Sequence, residues 1–264
     1  MSTPAVPILL ASPRARVALR RALPRGRVRL VRCRSGRQVA RTLATSLADA
    51  VIVDARLPEA RALLLELRAN YPGVPRFAYS AFRADDAELL RDCGANSLAV
   101  PIVEGVEDAV LPDLVLPDTA SARRAQLLAA APRLLRLSED LQRQVWNAVL
   151  FGVAGRLRAL DLARSLGVSR EHLSRQFGAG GAPNLKRVID LARAATAADL
   201  LANPGYTARG VARILGFASA SHLTGVARRI AGVTARGLAA LGPAGVLAEF
   251  ARGRMRSRSR PSGE

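Results

Sequence analysis

Few side chains in this sequence are equipped for covalent or metal chemistry. It has two histidines, His172 and His222, and two cysteines, Cys33 and Cys93. The cysteines form no C-x-x-C, no zinc spacing and no disulfide framework. The histidines lack the accompanying Cys or carboxylate cluster that a metal site needs, so a helix-surface or turn-packing role is expected of both. Gly178–Gly181 follows a helical stretch rather than a strand and lacks G-x-G-x-x-G, which makes it a loop and not a phosphate cradle. No nucleophile–base constellation exists. The sequence therefore predicts no enzyme, no cofactor and no metal.

Positive charge is the chemistry the chain does carry. Forty Lys and Arg against 21 Asp and Glu give +19, and Lys186 is the one lysine. Residues 1–120 hold 17 basic and 13 acidic side chains, whereas residues 121–264 hold 23 and 8. The basic back half suggests a polyanionic partner, namely nucleic acid. No run of eighteen apolar residues is present, so no membrane span or membrane partner is expected. Met1–Leu10 has no basic segment ahead of its apolar stretch, which predicts no secretory signal and a cytoplasmic location.

The back half repeats itself. Leu162–Leu173 reads LARSLGVSREHL and Val211–Leu223 reads VARILGFASASHL, with an offset of 49 residues before the turn and 50 after it. Each copy is built as a helix-turn-helix. In the first, Ala159–Leu166 is a short helix, Gly167 takes positive φ at its end, and Ser169 caps the next helix. Leu173 and Phe177 share one face of that second helix, and Arg170, Ser174 and Arg175 point elsewhere. In the second copy Thr207 caps a helix over Ala208–Leu215, Gly216 turns the chain, and Ser219 caps a helix to about Ile230. Two helices joined in this way set the second into a major groove. Between the copies, Val188, Leu191, Ala195, Ala198 and Leu201 form an apolar stripe on a helix over 184–202. At about 1.5 Å per residue it spans roughly 28 Å, near the roughly 34 Å between major-groove faces on one side of B-DNA. Trp146, with Leu141, Val145 and Leu150, reads as core of the first helix of this region.

These segments, from about Asp140 to Leu241, resemble the AraC/XylS-type DNA-binding domain. The residues that carry the likeness are 162–177, LLANPG at 200–205, 211–223 and Gly232-Val233-Thr234. The resemblance implies sequence-specific binding to double-stranded DNA by a bacterial transcription regulator. It places Arg170, Glu171, Ser174 and Arg175 toward base edges, where Arg175 can pair bidentately with guanine and Glu171 can accept from cytosine. The matching positions of the second unit are Ala220, Ser221, Thr224 and Gly225, while Ser219, Arg228 and Arg229 suit phosphate. The chain departs from the family at Ala235, where a proline is usual, at Leu223 and Ala227, where aromatics are usual, and at Gly225, where Arg often reads a base. These departures predict a less rigid and less discriminating second unit.

Positioning these residues leaves the front half free for another task. Pro7–Ala11, Arg27–Val31, Ala50–Val53, Arg76–Ser80 and Asn96–Val100 read as strands. Arg14–Leu23, Gly36–Leu47, Pro58–Tyr71 and Asp85–Cys93 read as the helices between them. The alternation predicts a parallel sheet covered on both faces, with ligands at the carboxyl ends of the strands. The order resembles a response-regulator receiver domain over about 6–103. Asp54 matches the phospho-acceptor, Ser80 the switch residue, and Val100-Pro101 the segment that normally ends in Lys-Pro. Ser12 and Pro13 replace the acidic pair that holds Mg²⁺, and Val100 replaces the lysine. Phosphoryl transfer needs that metal and cation, so Asp54 is expected to be vestigial.

The expected architecture is therefore two domains. The N-terminal one is α/β and receiver-like, a parallel sheet flanked by helices. The C-terminal one is all-α, two helix-turn-helix units joined by a long helix. The boundaries read as 1–105 for the receiver-like domain, 106–136 for a linker and connecting helix, 137–251 for the DNA-binding domain, and 252–264 for a disordered Arg-rich tail. Pro112 and Pro117 interrupt the stretch Val103–Asp118 where a last receiver helix would lie, and Pro132 breaks or restarts the connecting helix over Ala122–Leu137. Homodimerisation through the N-terminal domain and contact with RNA polymerase are the further partners expected. A phosphorylation-dependent response regulator acting through Asp54, and a non-specific architectural DNA-binding protein, are the alternative functions.

Overall fold

The computed structural model describes residues 4–23, 26, 28–153, 157–178 and 181–257. The chain divides into two compact units, one built on 3–123 and the other on 124–202 with 206–264.

The first unit alternates strands and helices: β1 (Ala5–Leu9), α1 (Pro13–Ala22), β2 (Arg29–Arg32), α2 (Gly36–Thr45), β3 (Val51–Asp54), α3 (Ala60–Asn70), β4 (Arg76–Ser80), α4 (Ala87–Asn96), β5 (Val100–Val103) and α5 (Leu111–Val115). All strand pairs are parallel and run in the order β2-β1-β3-β4-β5, the flavodoxin-like order. Val39 and Leu43 of α2, Leu63, Leu64 and Leu67 of α3, and Leu89 and Cys93 of α4 cover one face of the sheet. Ala15 and Leu19 of α1 and Leu111 and Val115 of α5 cover the other. With both faces buried, β3 runs apolar from Val51 to Val53 without alternation, as parallel strands do, and ends on Asp54. The receiver-like α/β fold is thus present.

β1 lies two residues earlier than Pro7–Ala11 and β2 starts two residues later than Arg27, and two further elements differ more. The last strand lies four residues later than Asn96–Val100. Pro101 lies within it, and β5 is the edge of the sheet, where a proline costs no ladder bond. The second difference is α5, a helix within the stretch expected as linker. Pro112 occupies its first turn and Pro117 lies beyond its end, so both prolines bound the helix and neither breaks it. Asp49 fastens the chain that follows. Its buried carboxylate accepts from the Ser121 backbone N–H at 2.7 Å and from the Ser121 hydroxyl at 2.6 Å.

The division between the units falls within α6 (Ala120–Leu127). After α7 (Ala131–Leu134) come α8 (Asp140–Gly152), α9 (Ala159–Ser165), α10 (Arg170–Gly178), α11 (Leu185–Leu201), α12 (Ala208–Ile214), α13 (Ala220–Ala231) and α14 (Ala235–Ser257). Trp146 is core, as its apolar neighbours suggested. The long helix α11 is capped by the Asn184 side chain, which accepts from the Arg187 N–H at 2.9 Å. Burial is not confined to the expected stripe, since Ile189, Ala192, Ala194 and Ala197 are enclosed too. The partner responsible is α14, which packs Val246, Leu247 and Phe250 into the core and bends at Gly242 (φ 63°) before Pro243. Phe250 also receives the Arg187 guanidinium 4.8 Å from its ring centre. The last described turn of α14 reaches Ser257, and 258–264 of the expected tail lie outside the described residues.

Candidate nucleic-acid interface

The two helical pairs α9–α10 and α12–α13 have the same turn. Gly167 and Gly216 stand at φ +67° and +69°, a conformation that side chains resist and glycine does not. The next N–H reaches back across the turn in each, Val168 to the Ala163 carbonyl at 3.0 Å and Phe217 to the Ala212 carbonyl at 2.8 Å. This is the Schellman pattern, which satisfies the last carbonyls of the first helix. The following serine then caps the second helix. Ser169 Oγ accepts from the His172 N–H at 3.1 Å, and Ser219 Oγ accepts from the His222 N–H at 3.0 Å. Thr207 caps α12 through the Gly210 N–H at 3.1 Å.

Each second helix buries one face and presents the other. Leu173 and Phe177 are enclosed on α10, and Leu223, Val226, Ala227 and Ile230 on α13. On α10, Arg170, Glu171, Ser174 and Arg175 are exposed together, so the structure brings this sequence-derived set onto one surface. On α13, Ser221, Gly225, Arg228 and Arg229 are exposed and Thr224 is half-buried. Two of the second set are already engaged. Ser219 is spent on its cap, and Arg229 donates to the buried Asp190 carboxylate of α11 at 2.9 Å. The imidazole of His222 packs edge-on against Phe217, 5.6 Å between centres, and its Nδ1 accepts the Ala218 N–H at 3.3 Å. Turn packing thus accounts for this histidine.

Two of the departures at the second unit, Ala235 and Ala227, have local explanations. Ala235 opens α14, where proline is optional because the first-turn N–H has no helical partner. Thr234 caps that helix, accepting from the Gly237 N–H at 3.3 Å. Ala227 fits an enclosed site, and a Cβ built on Gly225 would meet open space.

Residues 162–240 match the family model described as helix-turn-helix domain. This segment is a helix-turn-helix domain. The AraC/XylS-type resemblance read from the sequence falls on the same residues. A search of curated proteins returns no match. Among solved structures, full-length FixJ from B. japonicum is 16% identical over 87% of this chain and 98% of its own, with a TM-score of 0.38. Sequence reading missed the supports of the helix-turn-helix domain. Asp190 is one, and Gln142 is another, an enclosed amide on α8 that donates to the Gln176 carbonyl of α10 at 2.7 Å. A charged or amide residue interrupting an apolar helix face was the available signal.

At the carboxyl end of the sheet, Asp54 is 8% exposed. Its carboxylate accepts from the Ala11 and Arg56 backbone N–H groups at 3.2 and 3.1 Å. Ser80 is buried at the end of β4. Val100 is not at this end. It pairs with Phe77 at the start of β5, and Val103 is the residue level with Ser80. The chain then continues into Glu104, whose N–H donates to the Ser80 carbonyl at 3.0 Å. Burial raises the Glu104 carboxyl above the usual range, and the negative charges of Asp54 and Asp108 raise it further. Val103 therefore holds the β5 position level with Ser80, and an acid, Glu104, follows it near Asp54. Ser12 is committed to capping α1 through the Ala15 N–H, and no group of three metal-ligating side chains exists among the described residues. Mg²⁺ does not fit this donor set. Both cysteines are buried, and burial raises both thiols, which keeps them protonated.

Proposed function

We propose that this chain is a sequence-specific, DNA-binding bacterial transcription regulator whose activity is not controlled by phosphorylation. One observation carries the reading: the exposed constellation Arg170, Glu171, Ser174 and Arg175 on a capped second helix, with its apolar face locked into the domain. Such a helix presents Arg175 for bidentate pairing with guanine O6 and N7, and Glu171 as an acceptor for cytosine N4. The second unit is the weaker reader, with Ser221 and Thr224 reaching less far and Arg228 free for phosphate. Duplex DNA is the principal partner. The receiver-like unit serves as a self-association or protein-contact module, with RNA polymerase a candidate for that contact, and the regulator acts in the cytoplasm. No single described helix is long and apolar enough to cross a membrane.

The test is selection of bound sites from a random duplex library, followed by footprinting of the winner. A discrete, reproducible site is expected. A protected region without sequence preference would identify an architectural DNA-binding protein instead.

A further inference from the structure

The modest charge of the front half conceals a separation within it. Residues 1–48 hold eleven arginines and no Asp or Glu, whereas residues 49–120 hold six arginines and thirteen Asp and Glu. The fold places five of the first set along one margin, because β2 is the edge strand and α2 follows it directly. Arg29 and Arg32 are exposed on β2, Arg34 is exposed in the turn after it, and Arg37 and Arg41 are exposed on α2 one helical turn apart. The buried face of α2 is carried by Val39 and Leu43, so its two arginines point away from the core. Among the described residues none of the five is in an ion pair. Arg61, in the acidic part of the same unit, is paired with both Glu88 and Asp92.

We propose that this margin, β2 with α2, is a second contact surface for the phosphate backbone of duplex DNA. The inference rests on the reading of the chain as a DNA-binding protein. Charges on an exposed edge strand also block edge-to-edge pairing. That task needs a charge or two on the strand and gives no reason for Arg34, Arg37 and Arg41, nor for the exclusion of every carboxylate from the first 48 residues. Five unpaired guanidiniums on one margin repel one another, and a polyanion relieves that repulsion. DNA supplies one negative charge per about 1.7 Å of axis, which is dense enough to engage several guanidiniums at once, and the guanidinium fork matches phosphate oxygens. Such contacts are blind to sequence. They add affinity and leave base choice to the helix-turn-helix domain.

The experiment compares the full-length wild type with two five-fold variants, R29Q/R32Q/R34Q/R37Q/R41Q and R29K/R32K/R34K/R37K/R41K. Affinity for the selected duplex is measured across a range of salt concentrations. Loss of two phosphate contacts lowers the slope of log K against log salt by about 1.8, at about 0.9 each, which is roughly 60-fold weaker binding at 0.1 M salt if affinities converge at 1 M. The Gln variant is expected to show at least that loss with its preferred sequence unchanged, and the Lys variant to keep the wild-type slope. Circular dichroism monitors the fold, and the half-sets R29Q/R32Q and R34Q/R37Q/R41Q give the same readout if the five-fold Gln variant unfolds. An unchanged slope in a folded Gln variant overturns the proposal while the helix-turn-helix reading stands. Loss of self-association in sedimentation with the slope intact also overturns it and assigns the margin to a second copy of the chain. A wild type that binds no duplex removes both readings.

Discussion

Arg175 and Gly225 hold equivalent places in the two units, and so do Glu171 and Ser221. The difference in reach is therefore a difference in reading power between two otherwise matched turns. In the proposed reading, removing Arg175 deletes both N–H donors of a bidentate base contact, while removing the Ser221 hydroxyl deletes at most one short bond. Arg175→Ala is expected to cost about 1–3 kcal/mol in binding and relax preference at one or two base pairs. Ser221→Ala should cost less and leave the preferred sequence nearly unchanged. Site selection at fixed salt decides, and greater loss of discrimination from Ser221→Ala would reverse the ranking of the two heads. In the other unit, Glu104 gives a pH-dependent expectation. Its carboxyl is raised by burial and then by Asp54 and Asp108. Such a group favours the folded state below its unfolded pKa, near about 4.3, and that advantage is lost as pH rises through the folded value. Glu104→Gln removes the charge that is disfavoured at neutral pH. The variant should melt higher than wild type at pH 7, and the gap should close as pH falls below the usual carboxylate range. Melting curves from pH 7 to pH 3.5 check this, and a gap that widens toward acid would contradict it.

At the scale of elements, Arg228 and Arg229 are neighbours in sequence with different work to do. Both are exposed on α13, yet only Arg229 spans to α11, where the Asp190 carboxylate is buried. Arg229→Ala strands that carboxylate. It should destabilise the folded protein by roughly 1.5–3 kcal/mol, the range for a hydrogen bond to a charged group. Arg228→Ala should fall within about 0.5 kcal/mol of wild type, as surface changes do, and weaken DNA binding instead. Denaturant unfolding alongside binding separates the two, and equal stabilities would show that the ion pair contributes nothing. The pair also marks what was legible in the sequence. The turns were, because Gly167, Ser169, Gly216 and Ser219 act on their immediate neighbours, and local chemistry repeats as local pattern. The apolar half of α11 was legible too. Its remaining burial was not, because that depends on α14, which begins more than thirty residues downstream and whose bend at Gly242-Pro243 hides its helical period. The same limit applied to β5 and α5. Pro112 and Pro117 read locally as breaks, and only helix phase reveals that each sits where proline is tolerated, just as only sheet order reveals Val100–Val103 as the edge strand.

On the scale of the whole molecule, the carboxyl end of the sheet decides whether the front unit can be a switch. A phosphoryl group leaving its donor spreads negative charge over its oxygens, and an acceptor site must meet that charge with a metal and a fixed cation. Here Ser12 caps a helix, Val100 lies at the far end of β5, and the residue following β5 is Glu104. Among the described residues, Asp54 accepts from two backbone donors, Ala11 and Arg56. Two neutral N–H groups hold one carboxylate in place, but they do not offset the added charge of a phosphoryl group beside Glu104. Incubation with acetyl phosphate and Mg²⁺ is therefore expected to leave the intact mass unchanged, and Asp54→Asn is expected to leave DNA affinity within about twofold of wild type. The two measurements test separate links. Stoichiometric, Mg²⁺-dependent addition of a phosphoryl group would show that the site finds its cation elsewhere. A large change in affinity on Asp54→Asn without any phosphorylation would show that the carboxylate, through its grip on the segments after β1 and β3, sets a conformation that the DNA-binding half can sense.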